Sequence, residues 1–254
     1  MSESRREQLA DLVHARGFLR VADAADQLNV SDVTIRGDFS ALAKRGRLVR
    51  VHGGAMPAGA YRESTLEVSL DRDAAAKLAI GQSAAALVGN GESIYIDAGS
   101  TAMALAQALV ARTDLHEVVV VTSGLTIALA LEPAVPRFTV IVTGGTLRPL
   151  QHSLVNPFAA PMLDSLRLDA AFVGCNGIHP TDGVTNLNLP DAEIKRLVLR
   201  SARRHILIAD STKLGRTDLA VIAPVAEFDT LVTAGVIPAG FNLSALPLDV
   251  RLAA

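Results

Sequence analysis

The sequence predicts an α/β protein in which a small winged helix-turn-helix domain precedes a larger domain built on a mainly parallel sheet. Two observations carry this prediction. Three short helical segments, a basic stretch and a glycine pair occupy the first 56 residues. From residue 74 onward, apolar strand-like runs alternate with helical segments, as in a parallel sheet covered by helices. We therefore expect domains at 1–56 and 74–254, joined by a linker at 57–73.

Length and composition restrict the class of protein. The chain has 254 residues, of which 50% are hydrophobic, enough for a small module and a medium-sized domain with its own core. The charged N-terminal segment lacks the apolar core of a signal peptide, and no apolar run is long enough to cross a bilayer. The single cysteine, Cys175, excludes a disulfide framework. We expect a cytoplasmic protein without membrane association, metal or cofactor.

The first two helices of the small domain are predicted by capping residues and by periodicity. Ser4 and Glu7 have the spacing of a capping box, and Gly17 is a helix-ending residue. A second helix fits residues 21–28, where apolar residues recur on one face. The Asn-Val pair that follows is a turn, which leads directly into a third helix.

The third helix and the segment behind it complete the predicted winged helix-turn-helix. Ser31 is the expected N-cap and Gly46 the expected end of this helix. The alternating stretch RLVRVHGGA that follows is typical of a β-wing. Apolar residues at helical spacing should point into the core, namely Ile35, Phe39 and Leu42.

Positive charge is concentrated in this part of the chain. The formal net charge is −2, yet residues 1–56 hold nine Lys and Arg against seven Asp and Glu. In a winged helix-turn-helix the third helix enters the major groove, and basic residues hold phosphates. A solvated charged face on an ordinary amphipathic helix is the alternative. The candidate contacts to operator DNA are Ser31, Thr34, Arg36, Lys44, Arg50 and His52.

Small and polar residues follow five of the predicted strands of the larger domain. Because the carboxyl ends of parallel strands meet at one edge of a sheet, these residues should surround a common ligand site. The turn at 99–101 opens a helix, so its amides and hydroxyls can hold a phosphate. Glycines that merely serve as turns are the alternative. The candidates are Asp97, Gly99, Ser100, Thr101, Ser123, Thr143, Gly144, Gly145, Asn176, Gly177, Asp210 and Lys213.

Two segments of the small domain, NVSDVTIR and GRLVRVHGGA, closely resemble the helix-turn-helix signature of the DeoR family of bacterial transcription regulators. The resemblance continues through IYIDAGSTAMALAQAL, VTGGTLR, AFVGCNGIHPTDGVT, AEIKR and LIADSTKLGR, which look like motifs of the family's C-terminal sensor. It implies a fold similar to ribose-5-phosphate isomerase and a phosphorylated sugar as effector. One departure is Gly37, where the family usually has a second arginine. Glycine weakens a helix by about 1 kcal/mol relative to alanine.

The resemblance also implies roles in the sensor site, and it adds Lys195 to the candidates. The turn at 99–101 would grip the phosphate of the effector, and Asp97 would lie beside a sugar hydroxyl. Lys195 and Lys213 would neutralise charge, and Asp210 would orient Lys213 or a hydroxyl.

The leading hypothesis from the sequence is a transcription regulator, most simply a repressor of carbohydrate genes, that responds to a phosphorylated sugar. A homo-dimer or tetramer is expected because one helix-turn-helix reads only a half-site. No catalytic residue is assigned. The alternative is an isomerase-like enzyme with Asp97, Asp210 or Lys213 as acid or base, for which the basic N-terminal domain would have no purpose. A sensor with decayed DNA contacts is a third hypothesis, motivated by Gly37.

Overall fold

A computed structural model describes residues 2–16, 19–51, 53–57 and 63–254 of the chain. The chain divides into two compact units, of which the smaller spans Met1–Glu63 and the larger most of Ser64–Ala254. Among the described residues, no helix is both long and apolar enough to span a membrane.

The smaller unit combines three helices with a small antiparallel sheet, and this confirms the winged helix-turn-helix fold. In this sheet, β3 lies between β1 and β2. The helices are α1 (Ser2–Arg16), α2 (Val21–Leu28) and α3 (Asp32–Lys44), and the strands are β1 (Leu19–Arg20), β2 (Leu48–Val51) and β3 (Gly54–Pro57).

The capping predictions for these helices were right for α3 and wrong for α1. The side chain of Ser31 accepts a hydrogen bond from the Thr34 amide at 3.3 Å, so Ser31 is the N-cap of α3. Gly46 follows this helix with φ +67°, a conformation that suits glycine. Helix α1 already begins at Ser2, so Ser4 lies inside its first turn and does not cap it. The residue expected to end α1, Gly17, lies outside the described residues.

The core of the smaller unit lies between α1, α2 and α3. The three residues of α3 that periodicity assigned to the core are buried, and each such side chain stabilises the fold by about 1.5–3 kcal/mol. They pack with apolar residues of α1 and the sheet in one cluster. The largest members of this cluster are Leu9, Leu19, Ile35, Phe39, Leu42 and Leu48.

The larger unit is an α/β domain, as predicted. Its helices are α4 (Leu66–Asp71), α5 (Ala74–Ala85), α6 (Ser100–Ala111), α7 (Leu125–Leu131), α8 (Ala159–Asp164) and α9 (Leu189–Ser201). Its strands are β4 (Ser93–Ile96), β5 (Val118–Thr122), β6 (Phe138–Val142), β7 (Thr146–Arg148), β8 (Ser153–Val155), β9 (Leu168–Val173), β10 (Gly177–His179), β11 (Gly183–Asn186), β12 (Ala202–Ile208), β13 (Ala220–Ala223), β14 (Thr230–Thr233) and β15 (Asp249–Leu252).

Seven of these strands, in the described part of the chain, form one parallel sheet in the order β15-β14-β12-β9-β4-β5-β6. Successive side chains point to opposite faces of a strand, so each face has its own core. On one face, Ile94 and Ile96 pack with apolar residues of α5, α6 and α7. On the other face, Tyr95 packs with residues of α8 and α9. Both faces are therefore covered, and the carboxyl ends of the strands are the edge available for a site.

Several short elements differ from the expectation. Helix α4 lies within the expected linker, where Thr65 caps it by accepting a hydrogen bond from the Val68 amide. The antiparallel pair β7–β8 and the antiparallel sheet β10-β11-β13 were not predicted. Their strands have three or four residues, too few for an alternating pattern to emerge from the sequence.

Candidate functional site

The outward face of α3 carries the side chains predicted to contact DNA. Arg36 and Lys44 are exposed, and neither forms an ion pair with another described residue. Ser31 and Thr34 share a hydrogen bond of 2.9 Å between their hydroxyl oxygens at the start of the helix. The N-terminal end of α3 therefore carries a cation and two hydroxyls, which are the kinds of group that reach base edges in this motif.

The wing is attached to α3 through a chain of hydrogen bonds. Arg50 in β2 donates through Nη1 to Ser40 Oγ at 2.9 Å, and Ser40 Oγ in turn donates to the Arg36 carbonyl at 2.7 Å. The Arg50 side chain remains exposed. Its position is therefore set relative to the recognition helix, as a phosphate contact requires. The remaining DNA-contact candidate, His52, lies outside the described residues.

Asp38, on the opposite side of α3, fixes this helix to α1. Its side chain is only 3% exposed, and it accepts hydrogen bonds from Arg5 Nε at 2.7 Å and Arg6 Nε at 2.8 Å. Burial alone would raise the pKa of Asp38, but the two guanidinium groups outweigh it and hold the pKa below its ordinary value. Sequence reasoning missed this contact, since the carboxylate and the arginines lie more than thirty residues apart.

Gly37 lies on the exposed face of the same helix. A Cβ added there would meet nothing within 4 Å. The glycine is therefore not required by close packing in this unit, and an alanine or arginine would fit without displacing a neighbour.

At the sheet edge of the larger unit, the carboxylate of Asp97 lies at the centre of the loops. It directly follows β4 and is buried. Its Oδ1 accepts a hydrogen bond from the Ala98 amide at 2.8 Å, and its Oδ2 accepts one from the Gly174 amide at 2.8 Å. Because Gly174 follows β9, Asp97 joins the loops of two neighbouring strands.

A buried charge cluster of Asp97, Arg148, Asp191 and Lys195 surrounds this position. Lys195 Nζ lies 3.0 Å from Asp97 Oδ2 and 3.1 Å from Asp191 Oδ2. It also donates to the Gly174 carbonyl at 3.0 Å and to the side-chain oxygen of Asn186 at 3.2 Å. An ammonium group has three N–H bonds, so these acceptors already use its capacity. Lys195 therefore neutralises carboxylates of its own fold, whereas the sequence assigned it to the effector.

The pKa values within the buried charge cluster reflect competition between burial and pairing. Burial raises the pKa of Asp97 above its ordinary value, although Lys195 opposes the change. For Asp191 burial also acts to raise the pKa, but Lys195 and Arg148 outweigh it and the net direction is downward. Burial would lower the pKa of Lys195, and the two carboxylates raise it instead. The lysine accordingly stays charged at neutral pH.

Two members of the buried charge cluster were missed from the sequence. Arg148 Nη1 donates to Asp191 Oδ1 at 3.0 Å, and both side chains are nearly buried. Asp191 and Lys195 are four residues apart on α9, and this spacing could have predicted their ion pair. Arg148 and Asp191 are 43 residues apart in the chain, so no local sequence pattern predicts their contact.

The turn after Asp97 has the geometry expected of an anion site. Gly99 has φ +116°, which a residue with a side chain rarely adopts, and it is the N-cap of α6. Ser100 and Thr101 form the first turn of this twelve-residue helix and are half-buried. Amides at the start of a helix attract negative charge, and the two hydroxyls are positioned beside them.

A second pair of charged residues lies after β12. Asp210 is buried, and its Oδ1 accepts from the Thr212 amide at 3.0 Å and from the Thr212 hydroxyl. Lys213 Nζ lies 3.8 Å from Asp210 Oδ2. Lys77 of α5 was not among the site residues predicted from the sequence. Burial lowers the pKa of Lys77, the charge of Lys213 lowers it further, and the charge of Asp210 opposes the change. Within the described residues, no hydrogen bond or ion pair joins this pair to the buried charge cluster.

The other loop candidates hold the edge together. Ser123 Oγ lies 2.9 Å from the Tyr95 hydroxyl, and both groups are buried. Thr143 is buried, and a Cβ on Gly145 would come within 1.9 Å of the Val155 carbonyl oxygen, so glycine is required there. Gly144 lies against Phe158. In the loop after β9, Asn176 Oδ1 accepts from the Leu187 amide at 2.9 Å, and Gly177 begins β10.

The described part of the chain contains no group of three or more His, Cys, Asp or Glu placed to hold a metal ion. The sheet edge has a helix-opening turn with a positive-φ glycine, a lysine and several hydroxyls, and such groups suit a small anion. The N-terminal unit has exposed cations on a helix and a wing, and such groups suit a polyanion.

Among solved structures, similarity is limited. The full-length sorbitol operon regulator SorC of Klebsiella pneumoniae aligns with 81% of this chain and 87% of its own, at 16% identity and a TM-score of 0.36. Ribose 5-phosphate isomerase A of Methanocaldococcus jannaschii aligns with 54% of this chain and 53% of its own, at 19% identity and a TM-score of 0.40.

Sequence relatives share nearly the whole length. The transcriptional regulator YgbI of Escherichia coli strain K12 is 32% identical over 249 residues, 98% of this chain and 96% of the relative. GolR, a transcriptional regulator of Listeria innocua serovar 6a, is 32% identical over 90% of this chain and 89% of its own. The lactose phosphotransferase system repressor of Staphylococcus aureus strain NCTC 8325 is 29% identical over 90% of each chain.

Two families match the two units. The DeoR-like helix-turn-helix domain matches residues 5–58, and the DeoR C terminal sensor domain matches residues 72–234. Together with the full-length relatives, these matches favour a regulator over the isomerase-like enzyme. The chain belongs to the DeoR family and is a DNA-binding transcription regulator.

Proposed function

We propose that the chain represses genes of carbohydrate metabolism and that a phosphorylated sugar, bound at the carboxyl edge of the parallel sheet, releases it from its operator. The observation that carries the effector part of the proposal is the turn at 97–101. It places a glycine with positive φ and two hydroxyls at the first turn of α6. Such a turn suits a phosphate dianion, which accepts several hydrogen bonds at once.

Neighbouring residues support a sugar rather than free phosphate. Lys213 supplies a partly exposed cation beyond the turn, and Asn176 carries a partly exposed amide on the loop after β9. Polar groups on several loops can distinguish the hydroxyls of a sugar, since each hydroxyl both donates and accepts. The name of one relative, the lactose phosphotransferase system repressor, ties that protein to a sugar uptake system, and we extend this class of effector to the present chain.

The DNA part of the proposal assigns Arg36 to base edges and Lys44 and Arg50 to phosphates. One recognition helix covers a half-site, so a homo-dimer or tetramer would read the full operator in the cytoplasm. Regulation follows from linkage. The effector and the operator favour different arrangements of the same assembly, so each lowers the affinity for the other.

The buried charge cluster argues against turnover at this site. Both oxygens of Asp97 accept hydrogen bonds from backbone amides, and Lys195 pairs with the same carboxylate. A carboxylate held in this way positions loops, whereas a catalytic base needs a free lone pair toward its substrate. We therefore assign Asp97 a structural and orienting role beneath the effector.

A thermal-shift screen tests the effector class. Ribose 5-phosphate, fructose 6-phosphate, tagatose 6-phosphate and glucose 6-phosphate are each compared with the unphosphorylated sugar. A ligand at a hundred times its Kd stabilises the protein by about 2.7 kcal/mol, which raises the Tm by several degrees. We expect at least one phosphorylated sugar to raise the Tm and the unphosphorylated sugars to leave it unchanged. Equal shifts with the unphosphorylated sugar would contradict a site organised around phosphate.

A further inference from the structure

The hairpin of β7 and β8 has a turn, residues 149–152, that is bonded to the sheet edge. We call residues 149–152 the hairpin turn. The His152 carbonyl accepts a hydrogen bond from the Leu125 amide at 2.8 Å. Directly after the turn, the Leu154 amide donates to the Ser123 carbonyl at 2.8 Å. The hairpin turn is thus fixed to the loop that follows β5, which is one of the loops of the proposed effector site.

The stem of the hairpin is anchored in the buried charge cluster. Arg148, the last residue of β7, donates to Asp191 Oδ1 at 3.0 Å and to Ser153 Oγ at 3.2 Å. Gly145 at the other end of the stem allows close contact with the Val155 carbonyl. The backbone of the hairpin is therefore held in place by these contacts. The side chains of the hairpin turn can still exchange one hydrogen-bond partner for another.

Those side chains reach the beginning of the larger unit. Gln151 Nε2 donates to the Ser64 carbonyl at 2.7 Å, and His152 Nε2 lies 2.9 Å from Glu67 Oε1. The hydrogen bond from His152 lowers the pKa of Glu67 to about 2. Ser64 is the first residue of the larger unit, so it lies where the chain arrives from the DNA-binding unit. The hairpin turn holds this arriving segment in place.

Gln151 also lies beside the anion-binding turn. A Cβ built on Gly99 would be 3.9 Å from Gln151 Oε1. A phosphate held by the turn at 99–101 would therefore come within reach of the Gln151 amide. The amide group has two N–H donors and can form a charge-assisted bond to phosphate, which is stronger than its bond to a neutral carbonyl.

We propose that Gln151 is the residue that reports effector binding to the segment leading to the DNA-binding unit. With the site empty, its amide holds the Ser64 carbonyl. When phosphate occupies the turn, the amide bonds to the phosphate, Ser64 is released and operator affinity falls. The identity of the ligand rests on the proposed function, whereas the bond between Gln151 and Ser64 does not depend on it.

The first experiment uses the full chain without any ligand. Gln151→Ala removes the amide, and Gln151→Glu keeps its size but removes the N–H donor. Gln107→Ala, on the exposed face of α6, is the matched control. A neutral hydrogen bond of this kind changes an equilibrium by about 2- to 12-fold. We expect both Gln151 variants to speed hydrogen exchange across residues 64–71 and to weaken operator binding, each by about 3- to 10-fold, with the control unchanged.

Exchange across residues 93–111 checks that the variants are folded and should not change. The inference is overturned if exchange at 64–71 stays at the wild-type rate. It is equally overturned if exchange quickens while operator affinity stays the same, since the contact is then only structural.

The second experiment adds ribose 5-phosphate, fructose 6-phosphate or inorganic phosphate to the wild type and to Gln151→Glu. A probe that binds should speed exchange at 64–71 in the wild type and have no further effect there in the variant. An equal response in the two proteins would remove Gln151 from the signalling route. Failure of every probe to bind the wild type would count against the proposed effector, and the ligand-free comparison would still decide the role of Gln151.

Discussion

The recognition helix and the sheet edge use charged residues in opposite ways. On α3 and the wing, Arg36, Lys44 and Arg50 are exposed. At the sheet edge, Asp97 and Lys195 are buried and satisfy each other. An exposed cation costs little to maintain and acts by displacing counterions from a polyanion. A buried charge must be compensated inside the fold, so it organises loops rather than meeting a partner directly. We therefore propose that the same residue types serve DNA binding in the smaller unit and loop preorganisation in the larger one.

The largest effect is expected at the buried end of this comparison. Lys195→Met leaves Asp97 and Asp191 buried without their shared cation, which should reduce the free energy of unfolding by about 3–5 kcal/mol. Urea unfolding of the full chain measures this loss. In the variant, burial raises the pKa of these carboxylates, so the folded state takes up protons and part of the stability should return as the pH falls. Lys44→Met, an exposed lysine of α3, is the control and should cost less than about 1 kcal/mol. Equal losses for the two lysines would contradict the contrast between buried and exposed charges.

Asp38 is a buried charge within the smaller unit, whose cations on α3 and the wing are exposed, and its removal should destabilise that unit. Asp38→Asn loses two charge-assisted hydrogen bonds to Arg5 and Arg6, and we expect a loss of about 2–4 kcal/mol from the stability of the smaller unit. Hydrogen exchange of α1 and α3 is the measurement. Asp32→Asn, exposed on the first turn of α3, serves as control. Because the folded pKa of Asp38 is lowered, its contribution is complete above about pH 4 and disappears as the pH falls through the folded value. A difference between wild type and Asp38→Asn that persists in strong acid would refute this assignment.

Exposed cations should change DNA binding with little effect on folding. Arg36→Ala should cost roughly 1–3 kcal/mol of operator binding and relax specificity, because it removes a base contact. Arg50→Ala should weaken specific and random DNA alike and reduce the salt slope by about 1, because it removes a phosphate contact. Titrations at several salt concentrations separate the two. Exchanged outcomes would reverse the assigned roles.

Gly37 is expected to have the smallest effect. Gly37→Ala should stabilise α3 by up to about 1 kcal/mol, since the site has room for a side chain. Gly37→Arg adds a cation as well and should bind operator more tightly at low salt. The alanine variant separates the gain in helix stability from the added charge. Unchanged or weaker binding by the arginine variant would show that the native operator exploits the missing side chain.

Predictability from sequence differed between these two regions for a physical reason. Helix caps, periodicity and strand ends are local, so the cap at Ser31, the apolar face of α3 and the helix-opening turn at 99–101 could be predicted. Pairing of buried charges depends on residues far apart in the chain, and it is decided only when the fold brings them together. The ion pairs of Asp38 and Arg148 could not be predicted for that reason. Lys195 was assigned to the effector, whereas the structure pairs it with Asp97 and Asp191.

Short antiparallel elements escaped prediction for a related reason. The hairpin consists of β7, β8 and a 3₁₀ segment between them, each of three residues, so no periodicity accumulates. Ser4 failed as a cap because the helix extends further toward the N-terminus than its capping-box spacing indicated.

We propose that the anion site of the larger unit controls operator affinity without contributing to DNA binding itself. The most direct measurement is operator titration, with and without the sugar phosphate that gives the largest thermal shift, for the wild type and for the Thr101→Ala, Lys213→Ala double variant. NMR of the same incubations detects any isomer formed. The account predicts wild-type operator affinity for the ligand-free double variant, loss of its ligand response, and no product. A double variant that responds to ligand as the wild type does, or steady turnover of the ligand, would contradict it.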